Sequence, residues 1–277
     1  MTPGSYVLAH SPLTGTAAWG KLPTLLREQG HEVVVINVQD DDEPPFAERY
    51  LMRARAQIGA AELAPPTILV AHSGAGPLLP LIMTPPRRGH RPGNHRREVA
   101  RPGGYVFLDA GIPRPGQPSR MDLLGEEDGS LATEFLESLR AGARFPAWTI
   151  DDLADIVPAI ADRVALIQSL RPRGWDFFSE PLPPLDAWPD APCGYLRTSP
   201  AYDYWSDTAV QRGWPVVCRD LGHFPALASP EATLDALFEL TARLQATWQR
   251  QTLSNTEQVV KPRRRWHPEL YAGGARY

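Results

Sequence analysis

Apolar and polar positions in the first third of the chain switch repeatedly between two periods. Tyr6-Val7-Leu8-Ala9 is a short apolar run closed by the turn-forming string Ser11-Pro12-Leu13-Thr14-Gly15. Over residues 19–29 the apolar Trp19, Leu22, Leu25 and Leu26 fall at helical spacing, and Gly30 is a natural stop. Residues 33–38 are β-branched apart from Asn37, the pattern of a strand buried on both faces. An acidic, proline-bearing loop (Asp40 to Glu43) leads to a helical pattern over 46–63, and residues 67–70 read as another buried strand. A helix follows, entered near Gly74 and continuing over 78–83. Strand–helix alternation with short links predicts a mostly parallel sheet with right-handed crossovers and helices on both faces.

The rhythm then breaks. Residues 84–103 are rich in Arg, Pro and Gly and read as a loop, and the sheet resumes at 105–109. Between 110 and 190 no strand pattern stands out; 131–139 and 150–170 read as helices joined by proline-rich links, a helical insertion without a core of its own. Residues 194–197 and 216–219 supply the last two strands, and 230–249 an amphipathic helix. The expected organisation is a core of 1–109 and 191–249, a helical cap of 110–190 and an extended basic tail of 250–277.

Composition narrows the function classes. A net charge of −4 over 277 residues gives no general attraction to nucleic acid. No run approaches 18 apolar residues, so no membrane span is expected. The N-terminal stretch carries no basic residue ahead of its apolar run, so no signal peptide is expected, and the location expected is cytoplasmic. Cys193 and Cys218 cannot form a disulfide framework and are expected on neighbouring strands as buried free thiols. His90 and His95 have no Cys or carboxylate at ligand spacing, so no metal is expected, and no phosphate-cradling glycine motif calls for a cofactor.

The chemistry concentrates in Ala71-His72-Ser73-Gly74-Ala75. An apolar strand runs directly into this string and a helix follows. A sharp strand-to-helix turn needs small residues two before and two after its apex, and Ala71 and Ala75 meet that need. Such a turn lifts the apex serine off the sheet and aims the next N–H at whatever binds there. A nucleophilic serine needs a base. Among seven histidines His223 is best placed, after the last strand in Asp220-Leu-Gly-His-Phe224, so that serine precedes histidine along the chain.

With these residues in place, the chain over about 5–248 resembles the α/β-hydrolase superfamily: the His10 turn after the first strand, the elbow at Ser73, Phe107-Leu-Asp-Ala110 and Gly222-His-Phe224 carry the likeness. It is most similar to small capped bacterial hydrolases related to plant esterases and hydroxynitrile lyases. The resemblance implies the α/β-hydrolase fold and a Ser-His-acid triad, and leaves the substrate open.

Two features depart from that pattern. The family's acid lies about three residues past the next-to-last strand, where this chain has Ala201; Asp203 follows two residues later, and Asp109, at the end of the preceding strand, is the other candidate and the one favoured. The oxyanion hole implied by the resemblance takes one donor from the Gly74 N–H and one from the loop after the first strand. Here that loop is His10-Ser11-Pro12-Leu13, and Pro12 has no N–H, so Leu13 or the Ser11 hydroxyl must stand in. His10 reads as a buried supporting residue that, with His72, borders the substrate pocket. The cap aromatics Phe145, Trp148, Trp175 and Phe178 are candidates to line an apolar pocket, with Phe135 and Phe177 beside them.

The function expected is a serine hydrolase acting on an ester or thioester of a bulky apolar acyl group. The alternative is acyl transfer, cyclisation or lyase-type chemistry at the same site in specialised-metabolite biosynthesis. Arginines 87, 88, 91, 96, 97 and 101, facing only Glu98, read either as a solvated loop or as a dock for an acidic carrier protein or a CoA-type group.

Overall fold

The computed structural model describes residues 4–39, 42–83, 102–116, 118–127, 129–185 and 188–260. The arginine-rich stretch 87–101 and the tail beyond Val260 lie outside the described residues.

Six strands, β1 (Ser5–Ala9), β2 (Glu32–Ile36), β3 (Thr67–Ser73), β4 (Gly104–Ala110), β5 (Cys193–Arg197) and β6 (Val216–Cys218), form one sheet in the order β2-β1-β3-β4-β5-β6. Every pairing is parallel. The helices are α1 (Leu22–Glu28), α2 (Phe46–Ala60), α3 (Leu79–Met83), α4 (Arg120–Glu127), α5 (Gly129–Arg140), α6 (Ile160–Ser169), α7 (Trp175–Ser179), α8 (Asp203–Gln211), α9 (Pro225–Ala228) and α10 (Pro230–Val260). The expected mostly parallel sheet flanked by helices is present.

The strands divide their side chains between two core layers, as a period of two requires. Val7, Ala9, Leu69, Ala71, Tyr105 and Phe107 face the layer that holds residues of α2, α3 and α8. Tyr6, Leu8, Ile68, Val70, Val106 and Leu108 face the layer built with α1 and α10. α10 packs closely on β5 at Gly194, where a Cβ would lie 3.0 Å from the Leu240 side chain.

Several details differ from the sequence reading. β2 is an edge strand with Val33, Val34 and Val35 half-buried, not a strand covered on both faces; a β-branched run satisfies either environment. The helix expected over 150–170 is confined to α6, because Pro158 cannot continue a helix and 151–156 fold as turns. Helices α4, α7 and α8 were not evident in the pattern. The last helix continues past residue 249 to Val260, so an extended tail does not begin at 250; no Gly or Pro interrupts 250–260, and Pro262 is the first breaker. Cys193 and Cys218 lie on adjacent strands, both free, but Cys218 is exposed.

The order reverses between β1 and β3. Crossovers leave that point in opposite directions, which opens a crevice at the carboxyl ends of the two strands. Ser73 ends β3, and the loop 10–13 leaves β1 beside it. Among the described residues no helix is long and apolar enough to cross a membrane.

Candidate active site

Ser73 is the apex of the turn between β3 and the 3-10 turn at Gly76–Leu78, and its φ of 55° lies in the left-handed region. A side chain is held there only when its surroundings over-determine the backbone. The β3–β4 register slips between His72 and Ser73, and the Ala75 N–H closes the turn on the His72 carbonyl at 3.2 Å. The small residue the turn depends on most is Gly76. A Cβ there would stand 2.0 Å from the Gly111 carbonyl oxygen, so the elbow and the end of β4 can touch only through glycine.

Asp109 sits one strand over with φ 38°, fully buried. Its Oδ1 accepts the Thr198 N–H at 2.7 Å and the Ser199 N–H at 3.3 Å, and its Oδ2 accepts the Ser199 hydroxyl at 2.6 Å. His223 Nδ1 stands 3.5 Å from the same Oδ2, the long end of hydrogen-bond distance. Burial alone raises the Asp109 pKa; hydrogen bonds from His223, Ser199 and Thr198 outweigh it and leave the carboxyl below its ordinary range. The Thr198 carbonyl accepts the Leu221 and Gly222 N–H groups, both at 3.0 Å. Thr198-Ser199 therefore ties the Asp109 carboxylate to the loop that carries His223. The other candidate acid, Asp203, is 59% exposed and ion-paired to Arg197 at 2.6 Å.

His223 is fixed from three sides. Its carbonyl accepts His72 Nε2–H at 2.7 Å, its ring lies 4.9 Å from Phe224, and Tyr202 stacks on it at 5.0 Å with an interplanar angle of 6°. The Tyr202 hydroxyl lies 3.1 Å from Ser73 Oγ, the one hydrogen-bond partner of that oxygen among the described residues. Thr198, Ser199 and Tyr202 were not singled out from the sequence. The available signal was a polar Thr-Ser-Pro string following directly on β5.

The loop after β1 is closed on itself. The Leu13 N–H donates to Ser11 Oγ at 3.2 Å, so that backbone donor is engaged. Ser11 is 1% exposed, and its hydroxyl would lie 3.0 Å from a Cβ built on Gly74. It keeps its own O–H, with a lone pair already taken by Leu13. His10 Nδ1–H donates to the Ser11 carbonyl at 2.7 Å and Nε2 accepts the Val38 N–H at 3.2 Å, which fixes one neutral tautomer. His10 is thus a buried support for the loop and not a wall of an open pocket. His72 is also buried, and burial, then the neighbouring His223, hold its pKa down to about 3.

The cap aromatics form a chain of edge-to-face contacts. Phe178 meets Phe135, Phe135 meets Phe145, Phe145 meets Trp148, and Trp148 meets Phe224 at 5.8 Å, next to His223. Phe177 and Phe178 are buried in the cap's own cluster, and Trp175 carries the Arg140 guanidinium on its face. Of the expected lining residues, Trp148 meets Phe224 directly, and Phe145 and Phe178 stand behind it in this chain.

No protein-family model matches the chain, and no curated protein matches it by sequence. Solved structures do. An extracellular α/β-hydrolase from a Paenibacillus species, with homology to tobacco salicylic acid binding protein 2, aligns at 17% identity and a TM-score of 0.63, over 86% of this chain and 99% of that one. Polyneuridine aldehyde esterase aligns at 15% identity and a TM-score of 0.62, over 87% of this chain and 100% of that one. Tomato methylketone synthase I, complexed with 2-tridecanone, aligns at 15% identity and a TM-score of 0.60, over 88% of this chain and 100% of that one. At such identities the likeness establishes the fold, which is that of the α/β-hydrolases.

Proposed function

We propose that this α/β-hydrolase-fold protein is an enzyme, a serine hydrolase that cleaves an ester or thioester of an apolar acyl group through an acyl-enzyme. Ser73 Oγ attacks the acyl carbonyl carbon. His223 Nε2 takes the serine proton and passes it to the departing alcohol or thiol; it then draws a proton from water for deacylation. Asp109 holds His223 in the tautomer with Nδ1–H and stabilises the imidazolium. The Gly74 N–H and the Ser11 O–H hold the oxyanion. The single observation that carries this reading is Ser73 at a left-handed strand-end turn with the His223–Asp109 pair beside it. The absence of a Ser73–His223 hydrogen bond fits a site whose proton-transfer contact tightens when substrate binds.

A second reading keeps the site and changes the outcome to acyl transfer, cyclisation or lyase-type chemistry in specialised-metabolite biosynthesis. The closed loop favours it, because Pro12 has no N–H and the Leu13 N–H is engaged. One structure of similar fold is a methylketone synthase.

The test is steady-state turnover of 4-nitrophenyl esters of increasing acyl length. Hydrolysis that falls by about 1,000-fold or more in both Ser73→Ala and His223→Ala supports a serine hydrolase. Hydrolysis undiminished in Ser73→Ala overturns it. The acidic carrier or CoA-type partner is proposed only for residues 87–101, and ester turnover does not depend on it.

A further inference from the structure

The cap carries a buried cation that the triad does not use. Arg120, the first residue of α4, is 8% exposed and sits at the positive end of its helix, where a cation is disfavoured. Among the described residues it makes its hydrogen bond through Nη1, which reaches the Phe177 carbonyl at a long 3.4 Å. Its Cζ lies 4.0 Å over the Phe177 ring. Nε and Nη2 are buried and have no hydrogen-bond partner among the described residues.

Glu180 is the carboxylate whose charge acts on Arg120, and it, Asp122 and Asp42 each have other partners. Glu180 accepts the Phe46 N–H at 2.7 Å and the Ala47 N–H at 2.8 Å. Asp122 accepts the Ser119 N–H and hydroxyl, at 2.9 and 2.7 Å. Asp42 is paired with both Arg173 and Arg144. Burial lowers the Arg120 pKa to about 10, with Glu180 opposing and Arg173 adding, so the group stays charged at neutral pH. A buried charged guanidinium with no direct ion pair among the described residues is costly.

The two open atoms have a particular geometry. Nε–H and Nη2–H point the same way from the planar guanidinium and form a parallel fork matched to the two oxygens of a carboxylate. The fork also has a place in the site. Tyr50, close enough to influence the Arg120 charge, donates its hydroxyl to the His10 carbonyl at 2.7 Å, and Leu13 packs on the Phe46–Phe177 cluster. Arg120 is thus joined to the loop 10–13 through Phe177, which it covers and whose cluster Leu13 packs on.

We propose that Arg120 is the receptor for a carboxylate carried by the substrate, bound bidentately through Nε–H and Nη2–H. Resting on the hydrolase reading, this narrows the substrate to an ester or thioester whose apolar acyl chain bears a free carboxylate away from the scissile bond. It assigns to α4 the measuring of chain length between that carboxylate and Ser73.

The experiment compares mono-4-nitrophenyl esters of linear dicarboxylic acids, from succinate to sebacate, with neutral 4-nitrophenyl esters of equal acyl length. In the wild type one half-ester length is expected to exceed its neutral counterpart in kcat/KM by about tenfold or more, the worth of a charge-assisted hydrogen-bond pair. Arg120→Met, which keeps the apolar stem, removes that preference and leaves the neutral ester within about threefold. Arg120→Lys, charged but without the fork, recovers only part of it. Equal losses on both ester series, or a wild type that favours the neutral ester at every length, overturn the proposal. A binding arm separates this site from the hydrolase reading. Free dicarboxylates of the same lengths should raise the Tm of wild type and of Ser73→Ala, and not that of Arg120→Met. A shift that Arg120→Met abolishes, with no ester turned over, supports the receptor and removes the hydrolase. No shift in wild type, or the same shift in Arg120→Met, removes the receptor.

Discussion

The two sides of Ser73 are built in opposite ways. Toward β4, β5 and β6, polar groups are tied across three strand ends: Asp109 accepts from Thr198 and Ser199, Thr198 accepts from the His223 loop, and His72 holds the His223 backbone. Toward β1, the loop 10–13 turns its donors inward. Leu13 donates to Ser11, His10 to the Ser11 carbonyl, and Pro12 has nothing to donate. In the proposed reaction the first side moves the proton, and the second offers a negative charge the Ser11 hydroxyl beside the Gly74 N–H. The difference teaches where each kind of substitution should act. Changes on the histidine side should remove chemistry outright, and changes on the loop side should scale it.

The largest effect belongs to Asp109→Asn, which keeps the shape and the hydrogen bonds it can still accept but favours the wrong His223 tautomer. Turnover should fall by about 10⁴-fold with KM little changed. Asp203→Asn, whose target is the exposed pair with Arg197, should leave turnover within about twofold. Equal losses for the two would erase the asymmetry between the candidate acids.

Ser11→Ala comes next. Loss of one oxyanion donor should lower kcat by about 100- to 1,000-fold while the fold persists. An unchanged kcat would mean that the loop contributes no donor, and would move the balance toward the non-hydrolytic reading.

Stability follows. In the unfolded chain His72 protonates near its ordinary 6.5, whereas the folded chain resists protonation down to about 3. Between these values the unfolded state holds more protons, so stability falls as pH drops through that window, by up to a few kcal/mol. Asp109 adds to this at lower pH, since the stability from its lowered pKa is present above the ordinary aspartate range and lost as pH falls through the folded value. Urea denaturation of wild type and His72→Gln from pH 7 to pH 4 checks this; the variant should show a flatter pH dependence. The same slope in both would contradict a buried neutral His72.

A modest effect at Tyr202 is the most discriminating. In the proposed mechanism Ser73 Oγ exchanges Tyr202 for His223 before it attacks. Tyr202→Phe keeps the ring stacked on His223 and removes the competing hydroxyl, so capture of Ser73 by an acylating probe should speed up by about fivefold, the worth of one ordinary hydrogen bond. A loss of 100-fold or more would instead make the Tyr202 hydroxyl an oxyanion donor.

Much of this architecture is legible in local patterns. The period-two split of β1, β3 and β4 between two core layers and the strand-to-helix break at Ser73 are features of neighbouring residues, and the chain displays them directly. What it hides depends on distant neighbours. Gly76 is indispensable because Gly111 approaches it from β4, and Thr198 and Ser199 matter because β4 and β5 are adjacent. The edge position of β2 and the break at Pro158 are likewise set by what lies across space, or by a single breaker inside an otherwise helical pattern. Arg120 looked like one arginine among many; its burial and its open fork exist only once α4, α7 and α2 have packed.

The most direct test of an activated Ser73 is intact-mass labelling with a fluorophosphonate on the folded wild type, Ser73→Ala and His223→Ala. The account predicts a single adduct on the wild type, none on Ser73→Ala, and labelling slowed by about 1,000-fold or more on His223→Ala. A correctly folded wild type that takes no label, or a Ser73→Ala protein that labels as fast as the wild type, would contradict it.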